Sequence, residues 1–474
     1  MMESKQQFSI LIAVANSSLA VLTLGFNYDY QIIRVVAFVS FFLFAALCWL
    51  ERSNILFLAR TFILGFIGYF PMIIKATLGQ EALFSGYEGS TQGFDIVVLM
   101  YVMTSFALLS NQIGLELAKQ RSFTDFYSDP ENHKDGEQKF INYWWFAGLI
   151  GAMLAVASSW MFVQGYGQTI LTADYASAEQ GGSGVAFGSA VVLGVVGIFS
   201  LFIAGMKGYL ENWKVAFFIV CFMFIVYSQL LMGLRQDAMS TLFGILVLYG
   251  VVNKKEIGLK LSYVPVLIVA YIFIEAWGVA RFSLASGVPI SDIVTLTFTS
   301  IGATDAIRMG TVSPIATTFS NTVWLIQNNI IDYSWGRTYW EWILRIPPEI
   351  LFPDRPVDYA WMFQEYGLLT GGGFFELAEV YMNFGLLGAL VLPGIVSFLM
   401  AKSYYYAFYR QSMLSYFLLF SFLAIFLRGT WYQTFAFFRA FLVCILFYFV
   451  AVLISSCHDA FVKSQTELPH GNDI

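Results

Sequence analysis

Long apolar runs, each near the length that crosses a bilayer, recur from one end of this chain to the other, and they constrain its fold more than any motif does. A spanning helix needs about 20 predominantly apolar residues. Runs of that kind fall at roughly 8–26, 32–50, 55–74, 94–117, 140–164, 185–206, 214–233, 237–252, 261–281, 375–400, 413–428 and 433–455, those at 237–252 and 413–428 being short. The expected fold is therefore an all-α polytopic integral membrane protein of about 12 transmembrane helices, forming one membrane domain over residues 1–474. Composition agrees: 58% of residues are hydrophobic, 12% are charged and the mean hydropathy is +0.69, far too apolar for a soluble chain of this length.

Charge placement orients the spans. Lys119 to Lys139, Lys207 with Lys214, Lys254-Lys255 to Lys260, and Lys402 to Arg410 are separated by even numbers of spans, so all four groups belong on one side, the cytoplasm, with both termini. The opposite loops at 75–93 and 165–184 carry Glu81, Glu88, Asp174 and Glu179, with Lys75 as their only lysine. Lys5 precedes the first run without a small-residue cleavage site behind it, which reads as a retained span. Cys48, Cys221, Cys444 and Cys457 are scattered, which leaves neither a disulfide framework nor a CxxC metal site. No metal or other cofactor is expected, and nucleic acid is not an expected partner.

Two loops are long. Residues 118–139 read as a solvated cytoplasmic linker, and residues 282–374 as one large loop on the outer side that must contain short helices. Ser313-Pro314 followed by Ile315, Thr318, Phe319, Val323, Leu325 and Ile326 predicts a capped amphipathic helix lying on or in the membrane surface. Trp335, Tyr339, Trp340 and Trp342 form an aromatic cluster of the headgroup-level kind, and Tyr404, Tyr405, Tyr406, Phe408 and Tyr409 read as an interfacial belt. The outer side also collects arginine almost without lysine: Arg235, Arg281, Arg308, Arg337, Arg345, Arg355 and Arg428, with Arg439 inside an apolar run. A guanidinium grips phosphate or carboxylate in two-pronged fashion, so this distribution points to an anionic, lipid-bound ligand outside the membrane.

Within the large loop, Ile346-Pro347-Pro348 leads to Pro353-Asp354-Arg355-Pro356. Gly371-Gly372-Gly373 then precedes Phe374-Phe375-Glu376-Leu377-Ala378-Glu379-Val380-Tyr381-Met382-Asn383-Phe384-Gly385. Together with Met232-Gly233-Leu234-Arg235, Arg428-Gly429 and Arg439, this pattern resembles the O-antigen polymerase (Wzy) family of oligosaccharide repeat-unit polymerases, over roughly residues 215–445. The resemblance implies a GT-C-like glycosyltransferase of a bacterial inner membrane with a periplasmic active site. Such an enzyme moves a growing glycan from undecaprenyl pyrophosphate to a new lipid-linked repeat unit. It also implies a separate chain-length regulator as partner.

Negative charge then builds on the pyrophosphate leaving group, where fixed guanidinium groups stabilise it best. Arg235, Arg355 and Arg428 are the first candidates, followed by Arg281, Arg308, Arg345 and Arg439, with Asp354 as a further substrate-binding residue. A carboxylate is the natural acceptor for the hydroxyl proton, and Glu376, Glu379, Asp354 and Asp305 are the outside acids. Plainer readings stand beside these. Arg281 and Arg337 can equally snorkel to headgroups, Arg439 can pair with an acid such as Glu275, and Glu376 with Glu379, sharing a helix face, can pair with the arginines. An O-antigen ligase is disfavoured because His133, His458 and His470 all fall on the cytoplasmic side. A lipid-glycan flippase is the main rival; it would put its charges in midplane cavities and broken helices.

The alternation of loops gives a direct expectation. Single cysteines placed at Lys134 and Lys463 in a background without native cysteines should be labelled only from the cytoplasm, and those at Gly86, Gly182 and Arg337 only from outside. Outside labelling at position 134 would overturn the topology.

Overall fold

A computed structural model describes residues 2–25, 29–79, 93–126, 148–153, 156–157, 184–207, 212–231, 235–263, 312–344, 365–368, 375–431 and 434–466, with single positions 265, 289, 292 and 363. Among these the chain is all-helical, without a strand. The helices are α1 (Met2–Gly25), α2 (Tyr30–Glu51), α3 (Ile55–Leu78), α4 (Phe94–Phe126), α5 (Gly184–Met206), α6 (Asn212–Leu231), α7 (Arg235–Val252), α8 (Val312–Gln327), α9 (Arg337–Leu344), α10 (Glu376–Arg410), α11 (Met413–Leu423), α12 (Phe426–Trp431) and α13 (Phe435–Thr466). Six are long and apolar enough to cross a membrane: α1, α2, α3, α4, α10 and α13. Shorter apolar helices cover Val192–Met206, Asn212–Tyr227, Gln236–Val252 and Met413–Leu423. The spans expected at 140–164 and 261–281 lie largely outside the described residues.

Side-chain burial sorts the helices. The spans in α3 and α4 are 78% buried inside the protein, against 24% for α13, so α3 and α4 form the centre and α13 faces its surroundings with Leu446, Phe449 and Leu453. Helix α4 meets α10 closely, Gly114 packing on the backbone of Gly394 with no room for a Cβ. Pro393 interrupts the helical ladder there, and the Gly394 N–H is taken by Ser110 Oγ at 2.8 Å. Polar side chains also tie α1 to α4 together: Asn16 donates to the Tyr69 hydroxyl at 2.7 Å, Tyr69 pairs with Ser105 at 2.8 Å, and Ser40 pairs with Tyr101. Such bonds suit a setting where water offers no competing partner.

Helix α10, one candidate span by length and apolarity, is two helices joined at Gly385. Gly385 has φ 61° and ψ −148°, a backbone conformation essentially confined to glycine. On either side of it Glu376 and Ser397 both bind the Arg60 guanidinium, although 21 residues of straight helix would hold them about 31 Å apart. The chain therefore reverses at Gly385. Residues 376–384 form a half-helix that rises to this turn and 386–410 descend beside it, Gly388 packing against Val380. Where hydropathy predicts a span beginning at 375, the structure places Glu376 deep in the bundle at the level of Ser397. An apolar average carries no information about direction.

Helix α8 accompanies the half-helix, Phe319 meeting Phe375 edge-on at 5.4 Å and Gln327 donating to the Tyr381 hydroxyl at 2.5 Å. The sequence predicts this helix correctly but not its position. Ile315, Ala316, Phe319, Val323 and Leu325 are fully buried, and so are Thr318, Ser320, Asn321 and Thr322 on the other faces, so α8 lies inside the bundle and not on a membrane surface. Its small hydroxylated residues allow close packing that an apolar-moment argument takes for a solvent-facing stripe. Beyond it, Trp335 and Trp340 are exposed, whereas Tyr339 of the same expected cluster is half-buried and stacked on Phe384. Tyr404 and Tyr405, by contrast, are buried against Phe57 and form core, not an interfacial belt. Helix α4 continues to Phe126, so the first residues of the expected linker at 118–139 are helical. Leu117, Ala118, Lys119, Gln120 and Arg121 are all good helix formers.

The turn generates a stability expectation. Gly385→Ala forces a Cβ into a glycine-only conformation and against the Tyr333 ring at 3.4 Å, and should cost about 1–3 kcal/mol. Thermal unfolding of the detergent-solubilised protein reads this as a lowered Tm; an unchanged Tm would refute the reversal.

Candidate functional site

Arg60 stands one turn into α3, in the run Ile55-Leu56-Phe57-Leu58-Ala59-Arg60, and its side chain is wholly buried. A charge without water needs a partner with matching geometry. Glu376, at the first residue of the half-helix, provides it: Nη1 reaches Oε2 at 2.5 Å and Nη2 reaches Oε1 at 2.6 Å, a two-pronged pair. Two further donors are used as well, Nη1 to Thr430 Oγ1 at 3.0 Å and Nε to Ser397 Oγ at 3.2 Å. Ser397 in turn donates to Asn111 at 2.6 Å, whose amide donates to Thr61 at 2.9 Å. One guanidinium thus joins α3, the half-helix, the descending part of α10 and α12.

Glu379 lies one turn above Glu376 and is likewise buried. Among the described residues its hydrogen-bond partners are neutral donors. Thr338 Oγ1 donates to Oε1 at 3.3 Å, and the backbone N–H of Thr434, just before α13, donates to Oε2 at 3.0 Å. The start of α13 also presents the positive end of a helix dipole to the carboxylate. Asn383 completes the group, giving its amide to Thr338 at 2.6 Å and to the Glu379 carbonyl at 2.8 Å while accepting from Gly336 N–H at 2.9 Å. The Tyr339 hydroxyl is buried without a hydrogen bond among the described residues. Burial, reinforced by the charges of Glu379 and Glu376, holds its phenol well above the usual tyrosine range, so it stays protonated.

A tip loop fixes this half-helix from above. Its last carbonyls, Met382 and Asn383, accept from Ser334 N–H at 2.8 Å and Trp335 N–H at 3.1 Å, replacing the helical partners that the turn removes. Trp335 and Gly336 adopt positive φ to present those N–H groups.

Among the expected arginines, Arg428 on α12 is partly exposed and lies 3.6 Å from Asp237, two residues after Arg235 at the start of α7. The structure therefore brings Arg428 and the beginning of α7 together, two residues along α12 from Thr430 of the Arg60 network. Asp237 Oδ1 and Gln229 Nε2 are buried there without a hydrogen bond among the described residues. Arg439 is half-buried on α13, and Arg337 pairs with Glu341 on the exposed side of α9. Arg281, Arg308, Arg345, Asp354, Arg355, Asp305 and Gly371 to Gly373 lie outside the described residues. No group of three or more His, Cys, Asp or Glu able to hold a metal exists among the described residues.

The geometry separates two acids that the sequence leaves equivalent. Glu376 is neutralised by Arg60, while Glu379 is held by neutral donors. Sequence reasoning misses Arg60, Asn111, Thr338, Ser397 and Thr430. Arg60 alone leaves a trace, as an arginine inside an apolar run, where it must find a partner.

That partnership can be measured. Arg60→Met or Glu376→Leu alone should each destabilise the protein by about 3–5 kcal/mol by stranding a buried charge, whereas the double variant should recover most of the loss. Additive losses in thermal unfolding would show that the two residues act separately. No family model, no curated protein and no solved structure matches this chain.

Proposed function

We propose that this protein polymerises undecaprenyl-pyrophosphate-linked oligosaccharide repeat units, as the resemblance to O-antigen polymerases implies, with a chain-length regulator as a partner. The observation that carries the reading is the half-helix Glu376–Phe384, which buries two acids in the bundle and gives only one of them a cationic partner among the described residues. In the proposed reaction a sugar hydroxyl of the incoming lipid-linked unit attacks the anomeric carbon of the donor glycan. The bond from that carbon to the pyrophosphate oxygen breaks, its electron pair leaves with the lipid pyrophosphate, and the hydroxyl proton passes to Glu379. Displacement of this kind inverts the anomeric centre. Arg428, with Arg235 and Arg355, meets the charge developing on the leaving group, and Arg60, paired with Glu376, holds the half-helix in place.

A flippase for the same lipid-linked glycans is the second reading. The broken helix and the charges buried beside it favour it, since transport sites are built on discontinuous helices within the bundle.

The glycan profile of cells separates the two. Loss of the protein, or Glu379→Gln at matched abundance, should collapse the polymer ladder to single repeat units on the outside, with the rate falling about 10²- to 10⁴-fold for the glutamine variant. A complete loss of surface glycan with repeat units retained inside would favour the flippase, and a full ladder from Glu379→Gln would remove Glu379 from the chemistry.

A further inference from the structure

At the opposite end of the bundle from Gly385, the turn between α2 and α3 and the segment after α7 flank an open surface cavity of about 410 Å³. It is lined by Trp49, Leu50, Arg52, Ser53, Gly258, Leu259 and Lys260. Its frame is built from backbone. Leu259 N–H donates to the Arg52 carbonyl at 2.7 Å and Ile55 N–H to the Ile257 carbonyl at 2.8 Å. These bonds bring Gly258 so close that a Cβ there would meet the Arg52 carbonyl at 2.8 Å. The two cations in the lining, Arg52 and Lys260, are exposed and form no ion pair among the described residues. Glu51 and Glu256, the nearest acids in sequence, do not line the cavity. Arg52 stacks on Trp49, its guanidinium carbon 3.4 Å from the ring centroid, which fixes the direction of the charge.

The position says what such a cavity meets. Arg52 occupies the short turn between two candidate spans, Tyr30–Glu51 and Ile55–Leu78, and so stands at the level of lipid headgroups. Trp49, in the last turn of its span and exposed, has the place of an interfacial anchor. Two cations, a hydroxyl and three apolar side chains match a phosphate diester with its glycerol backbone and the start of its acyl chains. We propose that this cavity is a binding site for the headgroup of an anionic phospholipid, in the leaflet that the lysine distribution assigns to the cytoplasm. This site is separate from the Arg60 network and does not depend on the polymerase reading.

Titration of the full-length protein in detergent with phosphatidylglycerol or phosphatidylcholine, followed by native mass spectrometry, tests the proposal. Phosphatidylglycerol should be retained preferentially. The double variant Arg52→Gln/Lys260→Gln should weaken that binding about 30-fold, given about 1 kcal/mol for each cation near the membrane surface. Lys254→Gln/Lys255→Gln, the same change of charge on the same face but outside the cavity, should leave the preference intact. Equal weakening by both double variants, equal retention of the two lipids, or full competition by millimolar glycerol phosphate would each overturn the site, the last by assigning it to a water-soluble phosphate.

Discussion

The two-pronged pair between Arg60 and Glu376 is the constraint on which the centre of this protein depends. A buried guanidinium is tolerated only if its charge and its donors are met by partners, and three separate segments supply them. Because those segments are the two limbs of α10 and α12, their positions relative to α3 follow from the bonding requirements of one side chain. Apolar contact among these helices is not directional and would permit sliding. A guanidinium fork is directional and does not.

Reversal of the chain at Gly385 makes that arrangement reachable. Inside a membrane protein a broken helix leaves carbonyls and N–H groups without their ladder partners, and water is not at hand to replace them. Here the tip loop donates two N–H groups to the final carbonyls of the half-helix, and Asn383 binds Gly336 from the other direction. The exposed Trp335 of the same loop and Trp340 of α9 follow close on this junction in the chain.

Glu376 and Glu379 show how environment divides the work of two identical side chains. They are three residues apart on one short helix, yet one faces a cation and the other faces a hydroxyl and a backbone N–H. The first ties the half-helix to α3, and the second is held by the tip region and the start of α13. Arg428 and Asp237 form a neighbouring polar pair, more open and more loosely bonded, at the junction of α12 and α7.

By itself the sequence determined the class of fold, because a bilayer imposes a length and an apolar character on each span that local composition records directly. It also determined the existence of α8 from its capping pattern, and singled out the Glu376 to Gly385 segment. Only the tertiary structure decided that this segment turns back on itself, that α8 lies within the bundle, and that Tyr404 and Tyr405 are core. Hydropathy and periodicity are local averages, equally satisfied by a straight span and a reversed half-helix. The partner of Arg60 lies 316 residues away in the chain, a choice made by packing and by the demands of a buried charge, and no local pattern encodes it.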